Sequence, residues 1–145
     1  MDAFENIVAK CLEESGLWVR QTIKINLSKN EKRQINKHTT PRPEIDLVAL
    51  DVKNNILLMV EAKSFIDSTG VRFDGVSGKN PKDAARYKIF TKELYRQVIT
   101  RKLLEEFLAM GLVNKETKVK YVLVAGRVKP GDEDAIKKYF NEKGW

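Results

Sequence analysis

The chain has 145 residues, with 27 Lys and Arg against 20 Asp and Glu and a formal net charge of +7, a balance that favours a polyanionic partner. Its single cysteine, Cys11, and single histidine, His38, exclude an internal disulfide and a structural zinc site, so any metal is expected to be a hard ion held by carboxylates. No apolar stretch approaches the ~20 residues of a membrane span, no signal-peptide pattern opens the sequence, and one cytoplasmic domain over residues 1–145 is expected.

Asp2 is placed to cap a first helix, on which Phe4, Ile7, Val8, Cys11 and Leu12 form an apolar stripe ending near Gly16. Glu5 falls on one border of that stripe, where a carboxylate is either solvated or turned toward a neighbouring site. Residues 17–27 alternate as a strand. Residues 28–43 are polar and basic and end in Thr-Thr-Pro-Arg-Pro, which predicts a loop. From Arg20 to Arg42 there are seven basic residues (Arg20, Lys24, Lys29, Lys32, Arg33, Lys37 and Arg42) against one acid, Glu31. His38 lies in the same run and is expected to be a surface residue or a phosphate contact.

Residues 45–65 organise the chain. Two β-rich runs, IDLVALDVK and ILLMVEAKSF, flank the turn signal Asn54-Asn55 and predict a hairpin. Both runs are apolar enough for a sheet covered on two faces. Yet Asp46 opens the first, and Glu61 and Lys63 close the second. Side chains alternate along a strand, so Glu61 and Lys63 share a face. A charge in a core strand costs several kcal/mol unless it is paired or holds a metal. Three such groups on one hairpin therefore mark a candidate site, the alternative being a buried ion pair of structural value only.

Residues 66–83 carry Gly70, Gly75, Gly78 and Pro81 and predict a mobile loop at the mouth of that site. A long helical stretch is expected over residues 84–112, broken at most once. With its phase set from Phe90, one stripe collects Phe90, Leu94, Leu104, Leu108 and Leu112, and places Gln97 and Arg101 in its middle. Polar groups on a core-facing stripe need partners, and the hairpin carboxylates are the expected ones, unless the two residues reach solvent or a break shifts the phase. Ile99, Leu103, Phe107 and Met110 form a second stripe, for burial on two faces or a subunit interface. Residues 118–127 predict a fully buried strand, and residues 132–143 a last helix with Asp132 as its cap. Trp145 follows Gly144 as the possible start of an edge strand. The element order is αβββαβα, an α/β fold with helices flanking a mixed central sheet.

Asp46, with Glu61-Ala62-Lys63 on the next strand after a helix and a strand, resembles the signature of the PD-(D/E)xK nuclease superfamily, which includes restriction, Mrr-like and Holliday-junction-resolving enzymes. Glu44 and Ile45 separate Pro43 from Asp46, a spacing the superfamily tolerates. The resemblance covers most of the chain in element order and implies a restriction-endonuclease-like αβββαβ core. Glu5 matches a first-helix glutamate of the Mrr-like and resolvase members. Gln97 falls where some branches carry a Q-x-x-x-Y helix, with Arg101 in place of the tyrosine.

The chemistry follows from residue types. Asp46 and Glu61 offer the oxygens Mg²⁺ prefers, with Mn²⁺ as a substitute, and the Ala62 carbonyl can add another. Glu5 can complete a second metal site or hold a metal-bound water. Lys63 can orient the attacking water or stabilise the transition state. The basic residues Lys29, Lys32, Arg33, Lys37, His38, Arg42 and Arg101 are the candidate nucleic-acid contacts. The resemblance thus implies a Mg²⁺-dependent endonuclease acting on double-stranded or branched DNA, as a homodimer where both strands are cut. An RNA-directed or partner-activated nuclease subunit, and a non-catalytic nucleic-acid-binding module of the same fold, are the alternatives.

Overall fold

The computed structural model describes residues 2–35 and 42–145. Helix α1 (Ala3–Glu14) starts as expected, the Asp2 carboxylate accepting the Glu5 amide at 2.8 Å. Its buried face differs from the expected stripe. Val8 and Ala9 are buried with Phe4 and Leu12 beside them, whereas Ile7 is 61% exposed and Cys11 is exposed. The small Ala9 side chain belongs to a contact layer with Leu47, Val60 and Ala62 of the sheet. That rotation carries Glu5 from the border of the stripe toward the sheet, where it is half-buried.

Strand β1 (Trp18–Lys24) is followed by a helix where a loop was expected, α2 (Lys29–Gln34). Ser28 Oγ accepts the Glu31 amide at 3.1 Å, and Glu31 Oε1 accepts the Ser28 amide at 2.9 Å. This reciprocal capping box satisfies two amides that otherwise have no partner in a helix's first turn. Strands β2 (Glu44–Asp51) and β3 (Ile56–Lys63) form the expected hairpin, with Asn55 at φ 57° in its turn.

Residues 66–83 pack into the core rather than looping over it. Val71 forms a parallel bridge with Val128, and Val71 and Val76 are both fully buried. Gly70 makes that approach possible: at φ 100°, a Cβ there would lie 2.8 Å from the Val128 carbonyl carbon. The short helices α3 (Phe73–Val76) and α4 (Pro81–Ala84) follow. Asp132 serves α3, its Oδ2 accepting the Phe73 amide at 2.9 Å, and makes no cap bond to its own helix.

The helix expected over residues 84–112 is two pieces, α5 (Lys88–Thr91) and α6 (Glu93–Ala109). Thr91 Oγ1 donates to the carbonyls of Ala84 and Tyr87 at 2.8 and 3.0 Å, and Lys92 is extended at φ −117°. A hydroxyl that takes backbone carbonyls competes with helical continuation. The break resets the phase. On α6, Val98, Ile99, Leu103 and Phe107 are buried, whereas Leu94 and Leu108 are 50% and 47% exposed.

Strand β4 (Lys118–Ala125) runs parallel to β3, and helix α7 (Glu133–Lys143) closes the chain. Among the described residues the sheet has four strands in the order β1-β2-β3-β4, antiparallel except for the β3–β4 pair. Tyr121 to Ala125 are only half-buried, because β4 is an edge strand rather than a central one. Trp145 adds no strand; its ring packs 5.4 Å from Phe90 and 6.2 Å from Tyr121. One sheet face lies under α1, and the other meets the larger core of α5, α6 and α7 through Leu57, Met59, Phe90, Leu103, Phe107 and Ile136. The fold is thus α/β, a mixed four-stranded sheet flanked by helices. Among the described residues no helix is long and apolar enough to cross a membrane.

Candidate active site at the fork between β2 and β3

Strand β2 pairs with β1 as far as Lys24–Glu44, but its pairing with β3 stops at Leu47–Val60. Beyond that point the two hairpin strands part, and the next residues along them are Asp46 and Glu61. The Asp46 carboxylate spans the parting: Oδ2 accepts the Ala62 amide at 2.9 Å. The fork and its acidic residue are thus one feature. Where ladder bonding ends, a side chain takes over the backbone donor.

Glu61 and Lys63 share a strand face, as their spacing requires. Lys63 Nζ lies 2.8 Å from Glu61 Oε1, with the side chains 21% and 20% exposed, and 5.8 Å from the centre of the Tyr87 ring. Both line a cavity of about 560 Å³, whose walls include Arg42, Arg86, Lys88 and Tyr95. Two carboxylates, Glu44 and Glu61, and four cationic side chains around one concavity suit an anionic ligand with a cation between them.

Burial pushes the Glu61 carboxyl above its ordinary value; Lys63 opposes that rise, and Asp46 and Glu5 add to it. Burial likewise raises Asp46, against the Ala62 amide and Lys63. Glu5 is raised by burial first and by Asp46 next. Glu61 thus feels both Asp46 and Glu5, and Glu5 feels Asp46. Geometrically they are less converged. Asp46 and Glu5 do not line the cavity that holds Glu61 and Lys63. Among the described residues no group of three or more His, Cys, Asp or Glu side chains is arranged to hold a metal ion.

Gln97 requires correction. It is exposed, donates to Glu93 Oε1 at 3.3 Å, and lines a separate groove with Arg101, Leu104 and Leu108. The phase that aimed it at the carboxylates assumed a helix continuous from Phe90, and the break at Lys92 removes that premise. Arg101 is also turned from the core; its Nη2 lies 3.1 Å from Glu31 Oε2, with Lys102 Nζ 3.5 Å from Glu31 Oε1. These pairs fasten α2 to α6. They hold Lys29, Lys32 and Arg33 of α2 on a helix with no buried residue. Arg42 donates to Asn26 Oδ1 at 3.0 Å and stands at the cavity wall. Lys37 and His38 lie outside the described residues.

The sequence reading missed Tyr87, Arg86, Lys88 and Tyr95. Treating residues 84–112 as one helix gave these four no common side; in the structure Arg86, Lys88 and Tyr95 meet at the cavity wall, and Tyr87 has its ring centre 5.8 Å from Lys63 Nζ. Burial, more than the nearby acids, pushes both Tyr87 and Tyr95 up to about 12, so they are neutral phenols near neutral pH. No family model matches the chain, and neither the curated proteins nor the solved structures give a match.

Proposed function

We propose that this chain is a divalent-metal-dependent DNA endonuclease of the PD-(D/E)xK kind, with the fork as its active centre and a restriction-endonuclease-like core. The observation that carries the proposal is the pair of contacts at the fork: Asp46 on the Ala62 amide, and Lys63 on Glu61. Acids and a lysine placed where a hairpin opens beside a basic cavity have a use in phosphodiester hydrolysis that simple packing does not give them.

The donor chemistry fits Mg²⁺ or Mn²⁺. Asp46 and Glu61 are oxygen donors whose charges burial and neighbouring acids disfavour, and a bound cation relieves both. Asp46, Glu61 and the Ala62 carbonyl would hold it, with Glu5 as a further acid nearby. When bound, such an ion lowers the pKa of water and offsets charge developing on the phosphate.

The remaining work belongs to side chains of this chain. Lys63 Nζ, now on Glu61, is a mobile donor that can turn to a phosphate oxygen or to the attacking water. Arg42, Arg86 and Lys88 hold the phosphodiester backbone at the cavity wall, contacts that position the substrate without reading its bases. Water attacks phosphorus, one P–O ester bond breaks, and the leaving oxygen takes up a proton. Cutting both strands of a duplex calls for two such centres, hence a homodimer acting on double-stranded or branched DNA.

The test is incubation of purified protein with Mg²⁺ and plasmid, branched DNA and RNA, with chelator and Asp46→Asn as controls. Cleavage of DNA that requires both the ion and Asp46 is the expected result. Binding to DNA without cleavage of any substrate overturns the enzymatic proposal and leaves a binding module.

A further inference from the structure

Thr22 sits where two neighbouring strands change face. Gln21 pairs with Leu47, and Ile23 with Ile45, so Thr22 stands across from Asp46 between them. Leu47 belongs to the layer under α1, but Ile45 and Ile23 belong to the larger core on the other side. Residues two apart on a regular strand share a face. The alternation is therefore broken at Thr22 and Asp46 together.

The break is made by an unfavourable residue. Thr22 has φ 54°, a left-handed conformation that glycine or asparagine adopts readily and that a β-branched side chain resists. Its Oγ1 is also buried, with no hydrogen-bond partner among the described residues, and so is Oε1 of Gln21 beside it. A glycine at this position relieves both penalties at once. A side chain kept against both points to a role outside packing.

That role is set by what lies opposite. Asp46 stands at the one rung between Gln21–Leu47 and Ile23–Ile45 that carries no ladder pairing, a gap in which one water can join a hydroxyl to a carboxylate. A buried water needs two to four polar partners, and Thr22 and Gln21 on β1 with Asp46 across the gap are the groups that offer them. It can accept from the Thr22 hydroxyl and donate to Gln21 Oε1 and to Asp46. We propose that Thr22 is a positioning residue for Asp46, steadying its carboxylate through one water shared with Gln21. The inference rests on the fork being the cleavage centre, and adds a strand β1 residue to the machinery that aims it.

The test compares Thr22→Val, Thr22→Gly and Thr22→Ser with wild type by thermal unfolding, amide hydrogen exchange and Mn²⁺ calorimetry. Thr22→Val and Thr22→Gly are expected to unfold no earlier than wild type. Exchange at the Ala62 amide, which Asp46 accepts, rises roughly tenfold in both, the order of one missing hydrogen bond, while Leu57 exchange in the same strand is unchanged. Mn²⁺ affinity falls in the same two variants, and Thr22→Ser restores both readouts. Unchanged Ala62 exchange in a folded Thr22→Val protein overturns the proposal and leaves Thr22 a strained packing residue. If wild type neither binds Mn²⁺ nor cuts DNA, the nuclease proposal fails on its own, and Ala62 exchange still decides whether Thr22 steadies Asp46.

Discussion

Asp46 Oδ2 accepts the amide of Ala62 at 2.9 Å, so one carboxylate both closes the fork and stands ready at the candidate centre. The two roles separate by mutation. Asp46→Asn keeps an acceptor for the amide, whereas Asp46→Ala leaves a buried N–H unpaired, which costs about 1–3 kcal/mol. Denaturant unfolding should therefore rank Ala well below Asn, while both lose metal-dependent cleavage. Equal stability of the two variants would show that the Ala62 bond is not formed in solution.

The pH dependence follows from the direction of the shifts. Burial raises Asp46 from 3.8 and Glu61 from 4.5. A raised carboxyl contributes stability below its unfolded value and loses it as pH rises through the folded value. Without divalent ions, wild type should thus weaken relative to Asp46→Asn as pH climbs out of the acid range. Added Mg²⁺ should reverse the loss near neutral pH. Melting temperatures across pH, with and without the ion, check the sign.

Lys63 holds Glu61 at 2.8 Å and lowers both acids. Lys63→Ala therefore takes away a positive charge that competes with a bound cation. Mn²⁺ affinity by calorimetry should hold or improve, yet single-turnover cleavage should fall by ~10²–10³, the usual loss for one preorganised electrostatic group. Cleavage at the wild-type rate would remove this hairpin as the catalytic centre.

Helix α2 has no buried residue and is fastened by its capping box and by Arg101 and Lys102 on Glu31. Replacing Lys29, Lys32 and Arg33 with Ala should leave the melting temperature almost unmoved. The salt dependence of duplex binding should flatten by up to ~0.9 for each phosphate the variant no longer neutralises. Glu31→Ala should weaken DNA binding too, through loss of the helix and its anchor, with Mn²⁺ affinity unchanged. An unaltered salt slope in the triple variant excludes α2 from the interface.

Gln97 and Tyr95 lie on the same helix but belong to different surfaces. Gln97→Leu should cut at the wild-type rate, since the side chain meets Glu93 and solvent. Tyr95→Phe removes a phenol at the wall of the Glu61 and Lys63 cavity, and should slow cleavage while the protein stays folded. The reverse order of effects would restore the continuous-helix phase.

The sequence alone determined the hairpin, the pairing of Glu61 and Lys63 on one face and the capped first helix, because each rests on local physics. Strand alternation, turn residues and an N-cap act within a few residues of chain. The capping box at Ser28 and Glu31 is equally local, but the polar, basic residues around it read as a loop. Tertiary structure decided the rest. The fork exists because β2 stays with β1 after leaving β3, a choice between two partners distant in sequence. The buried face of α6 was ambiguous because apolar residues ring much of that helix, and only docking on the sheet selects Ile99, Leu103 and Phe107 over Leu94 and Leu108. Strand β4 was expected to be fully buried because its residues are apolar, but burial depends on a further strand beside it, and among the described residues β4 ends the sheet. The cationic wall of Arg42, Arg86 and Lys88 comes from two segments with no periodic relation, brought together by the packing of α4 and α5 beside the fork.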